Sequence, residues 1–321
     1  MGAPHQGVTA HTENGAARRS GRRRPRAALA LGALAAVAVA LFGAGIAAHG
    51  TGELRIPAAG TTTLLRVAVF AALALHIGEL AGAGLAGPGR TPRSWAVWAA
   101  LGGAAASAGQ IVLLARVSDL DLTATYGTRD GGLLLAMANG FALAAGCAAL
   151  GRSTWAVAPL ALVVGAEALR AHPEPYTPEL GTALTIVHLT AACLWAGGLL
   201  HVLRTARLRG GGRDVLARYA RLAGWLYVAL AVTGTCSTLR RLPAEVVFAT
   251  AYGRVLIVKL LVVAAASVLA VIARRALRRG GDATAPARTE LAVLAGAVVL
   301  SAVLTVVPDP HWLSVHPAVL R

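Results

Sequence analysis

Long apolar runs alternate with short polar segments along almost the whole chain. Each run is close to the roughly 20 residues that an α-helix needs to cross the hydrocarbon core of a bilayer. No stretch shows the strict apolar–polar alternation of a membrane β-strand. We therefore predict an all-α fold, a polytopic membrane helix bundle of about nine transmembrane helices. The predicted spans are 27–48, 61–86, 94–116, 131–150, 153–171, 182–204, 222–240, 255–273 and 288–308.

The distribution of arginines between the runs predicts how the chain crosses the membrane. If the N-terminus lies inside, the cytoplasmic segments hold 20 arginines and the outer segments hold 8. Loops on the cytoplasmic side of a membrane are enriched in basic residues. We therefore expect the N-terminus inside and the C-terminus outside. The basic segment before the first run, 27–48, and the small residues near Ala47 also fit a cleaved signal peptide. The run is longer than the apolar core of such a peptide, so we expect it to be retained as a helix.

Composition narrows the class of protein. Hydrophobic residues make up 56% of the 321 residues and charged residues only 14%, which is too few polar side chains to cover a soluble globule. The net charge of +16 comes from arginines placed between apolar runs, so we expect the partner to be the lipid bilayer and not nucleic acid. No phosphate-binding Walker motif is present, so we expect neither ATP-driven pumping nor an enzymatic activity.

Two histidines occupy the sixth run, which is otherwise apolar. His188 and His201 are thirteen residues apart, which on a helix separates them by about 20 Å along the axis and about 140° around it. They cannot bind one ion together, but polar side chains at this depth cost free energy and mark functional positions. Two interpretations remain: metal ligands along a path, or axial ligands of haem groups.

A second polar pair lies in the second run. His76 and Glu79 are three residues apart and therefore share a helix face. Glu79 could orient His76 or balance the charge of a cation bound to it. Alternatively, the pair only joins two helices.

Arg66, Glu167 and Lys259 share a depth near the predicted outer surface, either as an acid–base layer or as side chains that reach for the headgroups.

A third group of histidines lies in predicted outer segments. His172, His311 and His316 occur beside Glu174 and Asp309. Imidazole suits copper, zinc and nickel, and carboxylates can complete such a site. Only two methionines are present, which excludes a methionine ladder for Cu(I). The three cysteines lie inside apolar runs without a CxxC spacing, so we expect free thiols.

The second half of the chain resembles a known family. The segments are HLTAACLWAGGLLHVL from His188, RYARLAGWLYVALAVTGT from Arg218 and AYGRVLIVKLLVVAAASVLAVIARR from Ala251. They resemble the membrane domain of the copper resistance protein D family over about 182–307. The residues that carry the resemblance are His188, Trp195, Gly197, Gly198, His201, Arg218, Ala223, Thr233, Gly234, Tyr252, Gly253, Arg254 and Lys259.

The polar, arginine-rich composition of 1–26 predicts a disordered basic cytoplasmic arm. The resemblance divides the rest of the chain into an N-terminal membrane half at 27–175 and a copper resistance D-like core at 176–321. The family implies a bacterial inner-membrane protein that handles copper ions, with a periplasmic copper-binding chaperone as partner. The sequence does not fix the oligomeric state.

The favoured hypothesis is copper uptake or transfer without ATP. His172, His311 and His316 would collect the ion and His188 would admit it. His76 with Glu79, and then His201, would carry it inward. The alternatives are a haem- or quinone-linked electron-transfer subunit and a scaffold that docks a periplasmic chaperone.

Overall fold

The computed structural model describes residues 13–54, 56–171 and 177–308, and this part of the chain contains helices, turns and loops but no strand. Nine of its helices are long and apolar enough to cross a membrane. The ten α-helices are α1 (Glu13–Ala47), α2 (Ala59–Ala86), α3 (Ala96–Val117), the short α4 (Leu122–Gly127), α5 (Arg129–Ala149), α6 (Val157–Ala171), α7 (Pro178–Leu208), α8 (Arg213–Arg241), α9 (Ala251–Arg278) and α10 (Thr284–Leu304).

The nine candidate spans coincide with the nine predicted runs, which confirms the predicted fold class. The main differences lie at the helix ends. The helices α7, α8 and α9 continue several residues beyond their apolar runs, because arginine-containing sequence is also compatible with a helix. Helix α1 begins at Glu13, inside the segment that we expected to be a disordered arm. The orientation of the termini stays a prediction.

Local signals in the sequence explain where the long helices begin. Pro178 stands in the first turn of α7, where its missing N–H costs no helical hydrogen bond. The side chain of Thr250 accepts a hydrogen bond from the backbone N–H of Gly253 and so caps α9. Thr128 caps α5 in the same way through Gly131. These caps fix the ends of the helices that surround the polar residues discussed below.

The buried side chains form two large clusters that follow the two predicted halves. One cluster is built mainly from α2, α3, α5 and α6, and it includes Phe141 and Met137. The other is built from α7 to α10 around Trp195, Leu199 and Tyr219. A smaller third cluster joins α1 to α9 and α10. The halves are therefore packed together and share one bundle.

Helices α2 and α7 make the closest contact between the two halves. A Cβ atom on Gly78 would collide with the backbone of Gly197, and one on Gly197 would collide with the carbonyl oxygen of Ala74. Small residues let membrane helices approach closely, because packing replaces the hydrophobic effect as the attractive force in lipid. This contact places His201 of α7 against Gly82 of α2, about one helical turn from Glu79.

Candidate functional site

His188 is fixed to the neighbouring helix α8 by one hydrogen bond. Its Nδ1 lies 2.9 Å from Oγ1 of Thr233, and that hydroxyl lies 2.6 Å from the carbonyl oxygen of Ala229. A Cβ atom added to Gly234 would stand 3.6 Å from Cε1 of the ring, so the imidazole rests against the backbone at this glycine. The sequence TG at 233–234 therefore supplies both a hydrogen-bond partner and room for the ring.

The chain of hydrogen bonds determines which nitrogen of His188 is free. A carbonyl oxygen only accepts, so the short contact with Ala229 requires the hydroxyl proton of Thr233. The ring must then donate from Nδ1 to the same oxygen, which leaves a lone pair on Nε2. Nε2 has no hydrogen-bond partner in the described ranges and is not enclosed by protein atoms. A metal-binding histidine is commonly held in this way through its second nitrogen.

His201 lies nearer the other end of α7 and packs against α2. Its ring occupies the space above Gly82, where a Cβ atom would collide with it. The side chain is buried, and neither ring nitrogen has a hydrogen-bond partner among the residues described. A buried polar atom without a partner costs free energy, so a water molecule or a metal ion bound to this imidazole would lower that cost.

His76 is also buried without hydrogen bonds. Its exposed fraction is 0%, and both ring nitrogens lack a partner within the described ranges. The helical repeat places His76 about 160° from Gly78, so it lies away from the closest contact between α2 and α7. His76 and His201 therefore do not face each other directly across the helix pair.

Glu79 is engaged in a different set of contacts from the one expected. Its Oε1 accepts hydrogen bonds from Arg204 Nη1 at 2.8 Å and from the backbone N–H of Trp95 at 2.8 Å. Its Oε2 accepts from the hydroxyl of Ser94 at 2.5 Å and from the backbone N–H of Ala96 at 3.2 Å. The carboxylate thus caps the start of α3 and pairs with α7. It would have to release one of these partners to bind a metal.

Arg204 completes this contact between three helices. Its guanidinium carbon lies 3.6 Å from the centre of the Trp95 ring, and Nη2 donates to the carbonyl oxygen of Arg93. The side chains of Arg204 and Glu79 are only 16% and 11% exposed. An ion pair supported by a ring and by backbone groups orients both partners more firmly than an isolated surface pair does.

The helical repeat places Glu79 between the two unpartnered imidazoles. It lies about 60° from His76 on one side and about 60° from Gly82, which carries the ring of His201, on the other. The carboxylate acts electrostatically on both rings. The described residues nevertheless contain no group of three or more histidine, cysteine or acidic side chains that could hold one metal ion together. The arrangement is a row of separate positions.

The predicted acid–base layer exists in part. Arg66 lies 3.9 Å from Oε1 of Glu167, and Arg170 lies 3.0 Å from Oε2. Arg66 and Glu167 are buried, so they do not extend to the headgroups. Lys259 belongs elsewhere, since it lies within electrostatic range of His188 and forms no salt bridge with an acid in the described sequence.

Other predicted residues have simpler outcomes. His172, His311 and His316, with Glu174 and Asp309, lie outside the described residues. The three cysteines are free, and only Cys193 is buried. Of the histidines predicted as metal ligands, His76, His188 and His201 lie within the described ranges, and they occupy three places on two adjacent helices.

Sequence reasoning missed two polar contacts. Arg204 was counted only as a cytoplasmic arginine, although it stands three residues after His201 and pairs with Glu79. Glu290 was not singled out, although it falls within the predicted span 288–308. It is 3% exposed and accepts a hydrogen bond of 2.8 Å from Nε1 of Trp195. The sequence TAPART at 284–289 is compatible with a helix, and α10 does begin at Thr284. An earlier predicted start would have placed Glu290 well inside the helix.

A comparison with known families covers the last three helices. Residues 213–308 match the family model of copper resistance protein D. The matched residues include Thr233 and Lys259 but not α7, so His188 and His201 lie outside them. No curated protein and no solved structure matches the chain. The match confirms the predicted resemblance for this segment, and the chain is a multi-pass membrane protein whose segment 213–308 matches the copper resistance protein D family.

Proposed function

We propose that the protein transfers copper ions across the bacterial cytoplasmic membrane without ATP. The observation that carries this proposal is the hydrogen bond between His188 and Thr233. It links a potential metal ligand on α7 to the segment that matches the copper resistance protein D family. It also leaves Nε2 of the ring free to bind a metal ion.

The depths of the histidines support stepwise transfer. His188 lies about 15 Å along α7 from its start, and His201 lies about 10 Å from its end. Their separation of about 20 Å is too long for one coordination sphere, so an ion would bind to them in turn. The ring nitrogens of His201 and His76 lack hydrogen-bond partners in the described ranges, and Glu79 lies between the two rings. A passing cation would satisfy groups that otherwise remain buried without hydrogen bonds.

In this proposal each group has one role. His188 binds copper that enters from the periplasmic side, where His172, His311 and His316 would collect it. His76 and His201 bind it next, and Glu79 supplies the negative charge that offsets the cation near the cytoplasmic end. Lys259, which acts electrostatically on His188, would disfavour a cation that remains there, so binding at His188 would be transient.

Uptake of radioactive copper into proteoliposomes tests the proposal. Vesicles that contain the purified protein should take up copper saturably without ATP, at a rate well above that of protein-free vesicles. Equal rates in the two preparations would refute transport. The two alternatives, an electron-transfer subunit and a scaffold that docks a periplasmic copper chaperone, would then remain. Control vesicles should contain the protein after heat denaturation, because unfolded protein can also bind copper.

A further inference from the structure

A cavity of about 480 Å³ lies between α7, α8, α9 and α10, on the opposite side of α7 from α2. Helices α8 and α9 touch each other little, because α8 packs on α7 and α9 packs on α10. The gap between them opens toward the surface that faces lipid, where the lining residues Tyr227, Val268, Val271 and Ile272 are exposed. A ligand can therefore enter this cavity from the bilayer.

The deep end of the cavity is aromatic and holds one acidic group. Trp195 and Tyr219 are almost fully buried there, and the Tyr219 hydroxyl donates to the carbonyl oxygen of Trp195 at 2.7 Å. The ring of Tyr227 meets that of Trp195 edge to face, with 6.1 Å between their centres. Such walls bind a flat apolar ring.

Glu290 has unused hydrogen-bonding capacity in this cavity. Its Oε1 accepts one hydrogen bond from Trp195, and the carboxylate has no other hydrogen bond and no salt bridge within the described ranges. Its Oε2 is not enclosed, and Glu290 lines the cavity. Oε2 can therefore accept a hydrogen bond from a donor group of a ligand in the cavity. An acidic side chain within a membrane span generally marks a functional position.

The chemistry of the lining decides between three classes of ligand. An organic cation would suit the aromatic rings and Glu290, but Arg274 and Arg275 line the same cavity and repel it. An anionic phospholipid would suit these arginines, but its acyl chain would then lie against the buried carboxylate. A neutral ring that carries hydroxyl groups and an apolar tail satisfies all of these features.

We propose that this cavity binds the ring of a hydroquinone whose apolar tail remains in the bilayer. One ring hydroxyl donates to Glu290, and the ring lies against Trp195 and Tyr227. The cavity volume falls within the roughly 300–1,000 Å³ of small-molecule sites. This site is separate from the histidines proposed to carry copper. It requires no electron transfer between them.

Binding of decylubiquinol to the delipidated protein in detergent tests the proposal. Gel filtration should show about one quinol retained per protein. Since Glu290→Leu removes the acceptor of the ring hydroxyl, it should weaken binding about tenfold. Ala223→Trp, which fills the cavity without changing Glu290, should do the same. Decylubiquinone, which has no donor hydroxyl, should bind more weakly than the quinol.

Two matched variants control for loss of fold. Glu167→Gln changes a buried acid that pairs with arginines outside the cavity, and Ala105→Trp adds the same ring on an exposed face of α3. Both should keep the affinity of the original protein. The proposal would be overturned if the amount of quinol retained rose in proportion to the detergent, or if folded Ala223→Trp bound quinol as well as the original protein. It would also be overturned if phosphatidylglycerol bound in the cavity and the quinol could not displace it.

Discussion

The hydroxyl of Thr233 stands 2.9 Å from Nδ1 of His188 and 2.6 Å from the carbonyl oxygen of Ala229. The single proton of the hydroxyl serves the carbonyl, so the imidazole carries its own proton on Nδ1. Thr233 therefore positions His188 and directs the lone pair of Nε2 away from α8. This relationship joins the helix with the histidines to the segment that matches the copper resistance protein D family.

Replacing Thr233 by Val should weaken copper binding at His188. Valine keeps nearly the same volume but cannot accept the proton of Nδ1, so neither the tautomer nor the ring orientation is fixed. Loss of such a supporting group commonly lowers metal affinity about 10–100-fold. The measurement is the copper concentration that gives half-maximal uptake into proteoliposomes.

Thr235→Val is the matched control for this change. Thr235 lies two residues further along α8 on an exposed face, so its replacement should leave uptake unchanged. Equal uptake constants for the two valine variants and the original protein would show that the hydroxyl of Thr233 does not support a metal ligand.

Glu79 should contribute more to stability than an exposed glutamate does. Glu79→Gln removes the charge that pairs with Arg204 and weakens the cap of α3. Because the pair is mostly buried, we expect a loss of about 3 kcal/mol in the free energy of unfolding. Chemical denaturation in detergent, followed by circular dichroism, measures this loss. Glu179→Gln in the exposed first turn of α7 should change it by less than about 0.5 kcal/mol, and equal losses would contradict the assigned role.

The contact between α2 and α7 should not tolerate a side chain at Gly197. Gly197→Ala places a methyl group against the carbonyl oxygen of Ala74, and the helices must separate. We expect the free energy of unfolding to fall by about 1–3 kcal/mol. Gly296→Ala in α10 is the control, because nothing lies within 4 Å of its Cβ position. That variant should gain up to about 1 kcal/mol from helix propensity, and two variants of equal stability would argue against the close contact.

The sequence predicted the membrane helices well but not their partners. Length and hydrophobicity of a segment are local properties, so the nine spans could be located from the sequence, although several helix ends could not. The pairing of α2 with α7 depends on Gly78 and Gly197, and nothing local to either glycine indicates the other. The fold class was therefore accessible, whereas the arrangement of helices was not.

The same limit applies to the candidate site. The polarity of His76, Glu79, His188 and His201 inside apolar runs was visible in the sequence. The partners of Glu79, which are Arg204 and the start of α3, depend on how three helices meet. Glu290 was missed because it lies only two residues inside the predicted span 288–308, where an acidic residue does not stand out from the polar segment before it.

The topology can be tested with reporter fusions. We expect the C-terminus outside, since 20 arginines fall in predicted inner segments and 8 in outer segments. An alkaline phosphatase, which is active only in the periplasm, should be active when fused after Arg321. It should be inactive when fused after Arg279, in the turn between α9 and α10. The reverse pattern would require the proposed direction of copper entry to be inverted.

Copper uptake by His188→Leu and His201→Leu variants tests the central claim most directly. Leucine inserts into hydrocarbon at least as readily as histidine, so α7 should remain intact in both proteins. In proteoliposomes with the outer face exposed, His188→Leu should abolish copper capture. His201→Leu should still bind copper but deliver it to the lumen more slowly. If both variants are less stable to heat yet transport copper per folded molecule at the original rate, the two histidines only hold helices together and the proposed path is wrong.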